Sequence, residues 1–229
     1  MKRLKNPRYL AEALGTFFLV FAGTGAVIVN QVTGGQVTGL GISFVFGLVV
    51  LAMIYTVGHI SGAHLNPAVT LAFFSAGRHS AKETVPYVIA QLSGAVAASV
   101  TLNFIFYGQQ TTLGATLPAG GWPQSFALEF FLTFMLMFVI MGVAHDDRAE
   151  GLMAGVAIGS TIALEAILGG PVSGGSMNPA RSFAPALISG NFQWHWIYWA
   201  APILGSVAGA RMYQLIQGNT RGGRNDEKR

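Results

Sequence analysis

Six apolar stretches run along the chain at roughly 9–29, 40–58, 84–107, 125–144, 151–168 and 195–217. Each approaches the roughly 20 residues that a helix rising 1.5 Å per residue needs to cross a hydrocarbon core. Between the second and third stretches, and again between the fifth and sixth, lies a different kind of segment: Asn66–Gly77 and Asn178–Gly190 are apolar, about a dozen residues long, and opened by Asn-Pro. Segments that short do not span; they enter a membrane and turn back. The pattern predicts six transmembrane helices and two re-entrant half-helices.

The start of each half-helix is written in its residues. Asn66-Pro67-Ala68 and Asn178-Pro179-Ala180 repeat one tripeptide. Proline suits the first helical position, where its missing N–H costs nothing, and asparagine before it is a good N-cap. Each copy follows a Gly/Ser-rich stretch, His59–Leu65 and Val172–Met177. Non-helical backbone at membrane depth is tolerated only where it is buried in protein or lines a watery cavity, so these lead-ins imply a pore. Two capped half-helices in matching places of a duplicated chain mark a binding or permeation site at the midplane.

The duplication is visible elsewhere. Glu12-x-x-x-Thr16-Phe17 of the first span is echoed by Glu129-x-x-x-Thr133-Phe134 of the fourth, and Gly94-x-x-x-Ala98 of the third by Gly205-x-x-x-Gly209 of the sixth. Three spans per half give the halves opposite topology, an inverted repeat. Six crossings return both termini to one side. Every Lys and Arg except Arg181 then falls on that side, and the outer connections 30–39, 108–124 and 191–195 carry none. The positive-inside rule makes that side cytoplasmic, in a multi-pass protein of the cell's inner or plasma membrane. Residues 1–217 are read as a single transmembrane channel domain with halves at about 9–110 and 125–217, and 218–229 as a polar, disordered cytoplasmic tail.

Composition sharpens this picture. The chain is 52% hydrophobic and 10% charged, against about 25% charged in soluble domains, which points to contact with the lipid bilayer. The absence of cysteine excludes disulfides and thiolate metal sites. A pI near 9.6 raises nucleic acid as a partner, but the bases flank the spans instead of forming a patch, so no nucleic acid is expected. The first span lacks a small-residue cleavage site and reads as a true transmembrane helix, not a signal peptide. Trp122, Trp194, Trp196 and Trp199 fit an outer aromatic belt. The Phe-rich first and fourth spans fit lipid contact and helix packing.

Candidate residues have both plain and functional readings. Asn66 and Asn178 cap their half-helices; their amide NH₂ groups are also two donors for a passing oxygen, beside helix N-termini that each carry about half a positive charge. Arg181 is a charge inside a membrane-embedded segment, which marks a functional position by default. Glu12 and Glu129 are acids in equivalent helices. They read either as proton-relay groups or, better, as acceptors for the otherwise unpaired N–H groups of the two lead-in loops. His59 and His64 invite a metal reading, but no third ligand lies nearby, and no metal or other cofactor is expected. His79, His145 and His195 fall at span ends as interface residues.

Taken together, Ser61-Gly62-Ala63-His64-Leu65-Asn66-Pro67-Ala68-Val69-Thr70 and Asn178-Pro179-Ala180-Arg181-Ser182 resemble the signatures of the aquaporins, or major intrinsic proteins. The resemblance covers nearly the whole chain, from Glu12 to the end of the sixth span. It implies an all-α integral membrane fold in which two half-helices meet at the midplane, assembled as a homotetramer with one pore per subunit. It also implies that Glu12, Glu129 and His64 support the pore loops. The implied filter positions are Phe46, Ala166, Gly175 and Arg181. Strict water channels of the family place histidine where Ala166 stands, so a wider constriction is expected. Glycerol channels usually follow the arginine with aspartate, whereas Ser182 follows here. The Gly170–Met177 lead-in is most similar to the nodulin-like branch and its bacterial relatives. That branch carries glycerol, urea and neutral metalloid hydroxides such as arsenous, boric or silicic acid. Phe46 departs from the Trp, Ala or Gly common there and narrows one wall.

The function these features imply is passive passage of water and small neutral solutes, excluding protons and ions. A strict water channel is one alternative. An ion-coupled secondary transporter is another, since inverted repeats with broken helices also build carriers and Glu12, Glu129 and Glu165 are candidate coupling acids. No nucleophile–base pair or metal cluster suggests an enzyme. Glu165, about 100° of helical rotation from Ala166, is expected to hydrogen-bond an outer loop or the surroundings of Arg181.

Overall fold

The computed structural model describes residues 6–143 and 153–226. They form eight helices: α1 (Pro7–Val32), α2 (Thr38–Ser61), α3 (Pro67–Ser75), α4 (Ala81–Ile105), α5 (Trp122–Val143), α6 (Ala154–Ser173), α7 (Pro179–Ser189) and α8 (Ile197–Asp226). Helices α1, α2, α4, α5 and α6 are long and apolar enough to cross a membrane, and α8, the last long helix, packs along α5. The short helices α3 and α7 are the two half-helices.

Helix ends follow local chemistry. Pro7, Pro67 and Pro179 each open a helix. Ser80 caps α4, its hydroxyl accepting from the Lys82 N–H at 3.3 Å. Helices α2, α6 and α7 stop at Gly62, Gly174 and Gly190, with φ of 86°, 83° and 74°, the left-handed cap that glycine adopts most readily. These caps correct two expected boundaries. Helix α2 runs past residue 58 to Ser61, and α6 past residue 168, through Pro171, to Ser173. Hydropathy falls where Gly, Ser and His begin, but the backbone leaves the helix only at the left-handed glycine. Helical backbone of α8 runs to Asp226. The expected end of the fourth span at 144 and start of the fifth at 151 lie outside the described residues, as does Arg148.

Packing reproduces the inverted repeat. Helix α1 packs on α4 and α2, α5 on α8 and α6, and α2 meets α6 where the halves join. Helix α3 lies mainly against α8 and α7 mainly against α4, so each half-helix is held by the last helix of the other half. The small residues expected at crossings sit where backbones touch. A Cβ on Gly94 would strike the Ala13 carbonyl, and one on Gly205 or Gly209 the carbonyls of Phe130 or Phe134. At the α2–α6 crossing, a Cβ on Gly159 would lie 2.7 Å from the Gly47 carbonyl.

Candidate functional site

The loops before the half-helices, 62–65 and 174–177, are built alike. Ala63, Leu65 and Met177 hold positive φ of 46°, 51° and 54°, an uncommon conformation for side chains with a Cβ. A buried carboxylate holds each loop. Glu12 accepts from the N–H groups of His64 (2.9 Å) and Leu65 (2.7 Å), from the Ser61 hydroxyl (2.7 Å) and from Gln91 (2.8 Å). Glu129 accepts from the N–H groups of Ser176 (2.8 Å) and Met177 (2.7 Å) and from the Ser173 hydroxyl (2.6 Å). Tyrosines complete the equivalence: Tyr87 donates to the Ser61 carbonyl at 2.9 Å and Tyr198 to the Ser173 carbonyl at 2.7 Å. The loop N–H groups thus find acceptors that no helix or sheet provides.

Asn66 and Asn178 both cap and bridge. Their Oδ1 atoms accept from Ala68 and Ala180 N–H at 2.9 and 3.0 Å. Their amide nitrogens cross the midplane, Asn66 donating to the Met177 carbonyl at 2.8 Å and Asn178 to the Leu65 carbonyl at 2.9 Å. One amide N–H of each residue is therefore committed to the opposite loop, and the second is the donor it has left. The two half-helix N-termini converge here, each contributing about half a positive charge.

Beside these amides lies a cavity of about 180 Å³. Phe46, Gly175, Arg181, Asn66 and Asn178 line it, together with apolar side chains such as Val50, Ile158 and Val143. Its wall is thus largely hydrophobic, with polar groups from the loops and Arg181. Ala166 is half-buried and outside this lining, where α6 contributes Ile158 and Ile162. His64 lines the cavity with its Nδ1 3.1 Å from the Thr70 hydroxyl and its ring stacked on Phe73. His59 is exposed.

Arg181 is 3% exposed. Its Nη1 donates to the Gly114 carbonyl at 2.6 Å, and its guanidinium carbon sits 5.1 Å from the Phe46 ring centroid, within cation–π range. Gly114 belongs to the connection between α4 and α5, a segment whose sequence carries no charged residue. At Gly114 that connection folds against α1, where a Cβ would fall 2.7 Å from the Thr24 Cβ. Thr116 then donates to Ser182 at 2.8 Å, and Ser182 lies 2.5 Å from Ser176. Gln91, which donates to both Glu12 and Thr70, was missed from sequence; a lone amide in an apolar span was its signal.

Two expectations need correcting. Glu165 is fully buried, and neither carboxylate oxygen has a hydrogen-bond partner among the described residues. Its neighbours include Glu129 and Leu136 of α5, so the helical rotation that takes it off the filter turns it into the α5–α6 interface and not toward Arg181 or an outer loop. His79 is more than a boundary residue, with its ring 4.9 Å from that of His64 and 4.6 Å from that of Tyr87.

A helical membrane protein whose two half-helices meet N-terminus to N-terminus beside a cavity within the bundle is, by class, a transmembrane channel. The Major intrinsic protein family model matches residues 2–213, and the chain belongs to that family. It is 51% identical over 220 residues to Aquaporin NIP1-2 of Oryza sativa subsp. japonica, covering 93% of this chain and 72% of that protein. It is 50% identical over 210 residues to Nodulin-26 of Glycine max, covering 92% and 78%. Among solved structures, the aquaglyceroporin from Plasmodium falciparum superimposes with a TM-score of 0.82 at 27% identity, covering 90% of this chain and 94% of that one. Relatives of this family are channels and not enzymes.

Proposed function

We propose that the protein is a passive channel for water and small uncharged solutes: glycerol, urea, and neutral metalloid hydroxides such as arsenous, boric or silicic acid. The observation that carries this reading is the crossed pair of amides, Asn66 to Met177 and Asn178 to Leu65, on the wall of one cavity that also reaches Arg181. A solute oxygen moving along the apolar wall meets the free amide N–H groups, the lead-in loops and Arg181. Cations and protons meet two half-helix N-termini and a guanidinium, which raise an electrostatic barrier. Gly175 lines the cavity without a side chain, and Ala166 is too short to reach it, which leaves that part of the filter open to solutes larger than water. A homotetramer with one pore per subunit, with both termini cytoplasmic in an inner or plasma membrane, belongs to the same proposal.

A strict water channel is the second reading, favoured by the Phe46 ring in the cavity wall beside Arg181. Stopped-flow light scattering on proteoliposomes separates the two, comparing shrinkage in sucrose with re-swelling in glycerol, urea and boric acid. Re-swelling that an Ala166→His variant abolishes, with water flux retained, supports the wide filter. Fast water flux without re-swelling assigns the strict water channel.

A further inference from the structure

Phe46 is the bulkiest side chain at the filter, so the position of its ring governs the width there. The ring lies against Gly23 of α1. A Cβ built on Gly23 would fall 2.5 Å from both Cδ1 and Cζ of Phe46 and nearer still to Cε1. No side chain tolerates such contacts, so the glycine is the recess that admits the ring edge. Arg181 lies over the same ring at 5.1 Å. The ring is therefore confined by the α1 backbone at its edge and a guanidinium at its face. The repeat underlines the asymmetry. In the register that aligns Glu12 with Glu129, Gly23 corresponds to Ile140, whose side chain lines the cavity.

We infer that Gly23 is a specificity-determining position: by letting Phe46 lie back into α1, it sets how far the ring projects into the filter. The inference rests on the reading of this cavity as the conduit. The ring is held by packing on α1, so enlarging residue 23 moves a ring carried by α2 toward the cavity it lines. Displacement of the ring costs less than displacement of α1, since α1 is fixed through Glu12 and its crossing with α4 at Gly94. Phe46 is thus a narrowing residue whose effect residue 23 tunes without itself touching solute.

The test is solute and water flux in proteoliposomes of the wild-type protein, Gly23→Ala, Phe46→Ala and the double variant. A single added methyl group in a tight apolar site shifts discrimination by about tenfold or more. Gly23→Ala should therefore lower glycerol flux about tenfold or more and water flux much less, and the double variant should return to the Phe46→Ala level. An unchanged glycerol-to-water ratio in Gly23→Ala, or a double variant as slow as Gly23→Ala alone, overturns the inference. Should the wild-type protein pass water only, the wide-filter reading fails by itself. The inference is then read on water flux, which Gly23→Ala must lower and the added Phe46→Ala must restore. If Gly23→Ala does not fold, Phe46→Trp poses the same question from the other side. A ring too large for the recess should close the filter to glycerol, and unchanged glycerol flux overturns the inference.

Discussion

The side-chain amide of Asn178 donates to the main-chain carbonyl of Leu65 across 2.9 Å, joining the second half-helix to the loop of the first. Leu65 in turn donates its own N–H to Glu12. The backbone of a single residue, Leu65, therefore links α1, the first loop and α7. Asn178→Asp keeps the cap oxygen that accepts from Ala180 but sets a carboxylate oxygen against the Leu65 carbonyl. The lost donor and the new repulsion should cost about 2 kcal/mol, seen as a lower unfolding temperature in detergent. The added negative charge should also raise cation leak into proteoliposomes. Retained stability together with unchanged ion exclusion would contradict this account.

Glu129 organises its loop only as an acceptor, taking two backbone N–H groups and a hydroxyl. Glu129→Gln turns one of those acceptors into a donor facing a donor. The variant should lose about 1.5–3 kcal/mol, the range for hydrogen bonds to a charged group, and solute and water flux should fall together because the loop that lines the cavity shifts. A proton-relay role predicts something else: normal stability and water flux with altered proton coupling.

Tyr87 and Tyr198 occupy equivalent places in the two halves, each buried and each donating to the last carbonyl of the helix before a loop. Removing either hydroxyl leaves a buried carbonyl short of that partner. Tyr87→Phe and Tyr198→Phe should each cost about 1 kcal/mol, and their effects should add, because the two bonds lie in separate loops. Strongly unequal losses would mean that the halves are related in sequence but not in energetics.

Much of this was legible in the residues because it rests on local chemistry. Asn-Pro specifies a helix start, and a short apolar run after it specifies a half-helix. A carboxylate within an apolar span requires donors, which pointed from Glu12 and Glu129 to the loops. What stayed hidden depends on direction and on distant contact. Hydropathy does not say that α2 and α6 persist until a left-handed glycine. Nothing local says that Gly114 turns inward to take the Arg181 guanidinium, or that Gly23 faces a ring from another helix. Glu165 shows the same limit, since its helical angle was readable while the element it would face was not.

His79 sits in the connection between α3 and α4. Burial holds its imidazole below the ordinary value; Arg8 pushes the same way, while Glu83 and Glu12 push against it. The folded protein therefore binds this proton less readily than the unfolded chain does. Stability is complete above the ordinary histidine value near 6.5 and declines as pH falls below it. His79→Phe should make that decline shallower, although His195, also held low by burial, keeps some of it. Unfolding temperatures between about pH 8 and pH 5 check this, and parallel curves for the two proteins would refute it.

Arg181 combines a charge with a planar shape, and the two can be separated. Its Nη1 bond to Gly114 and its place over Phe46 both use the guanidinium plane, whereas repulsion of cations requires only the charge. Lysine keeps the charge on a flexible stem and loses the fork and the stacking. Arg181→Lys should leave proton and cation exclusion largely intact while changing the ratio of glycerol to water flux, because Phe46 loses the group that confines its face. Arg181→Val should change both, with cation leak appearing alongside faster solute entry. Solute flux and proton leak measured on the same proteoliposomes distinguish the cases. Equal leak in the two variants would mean that exclusion depends on the shape of this side chain and not on its charge.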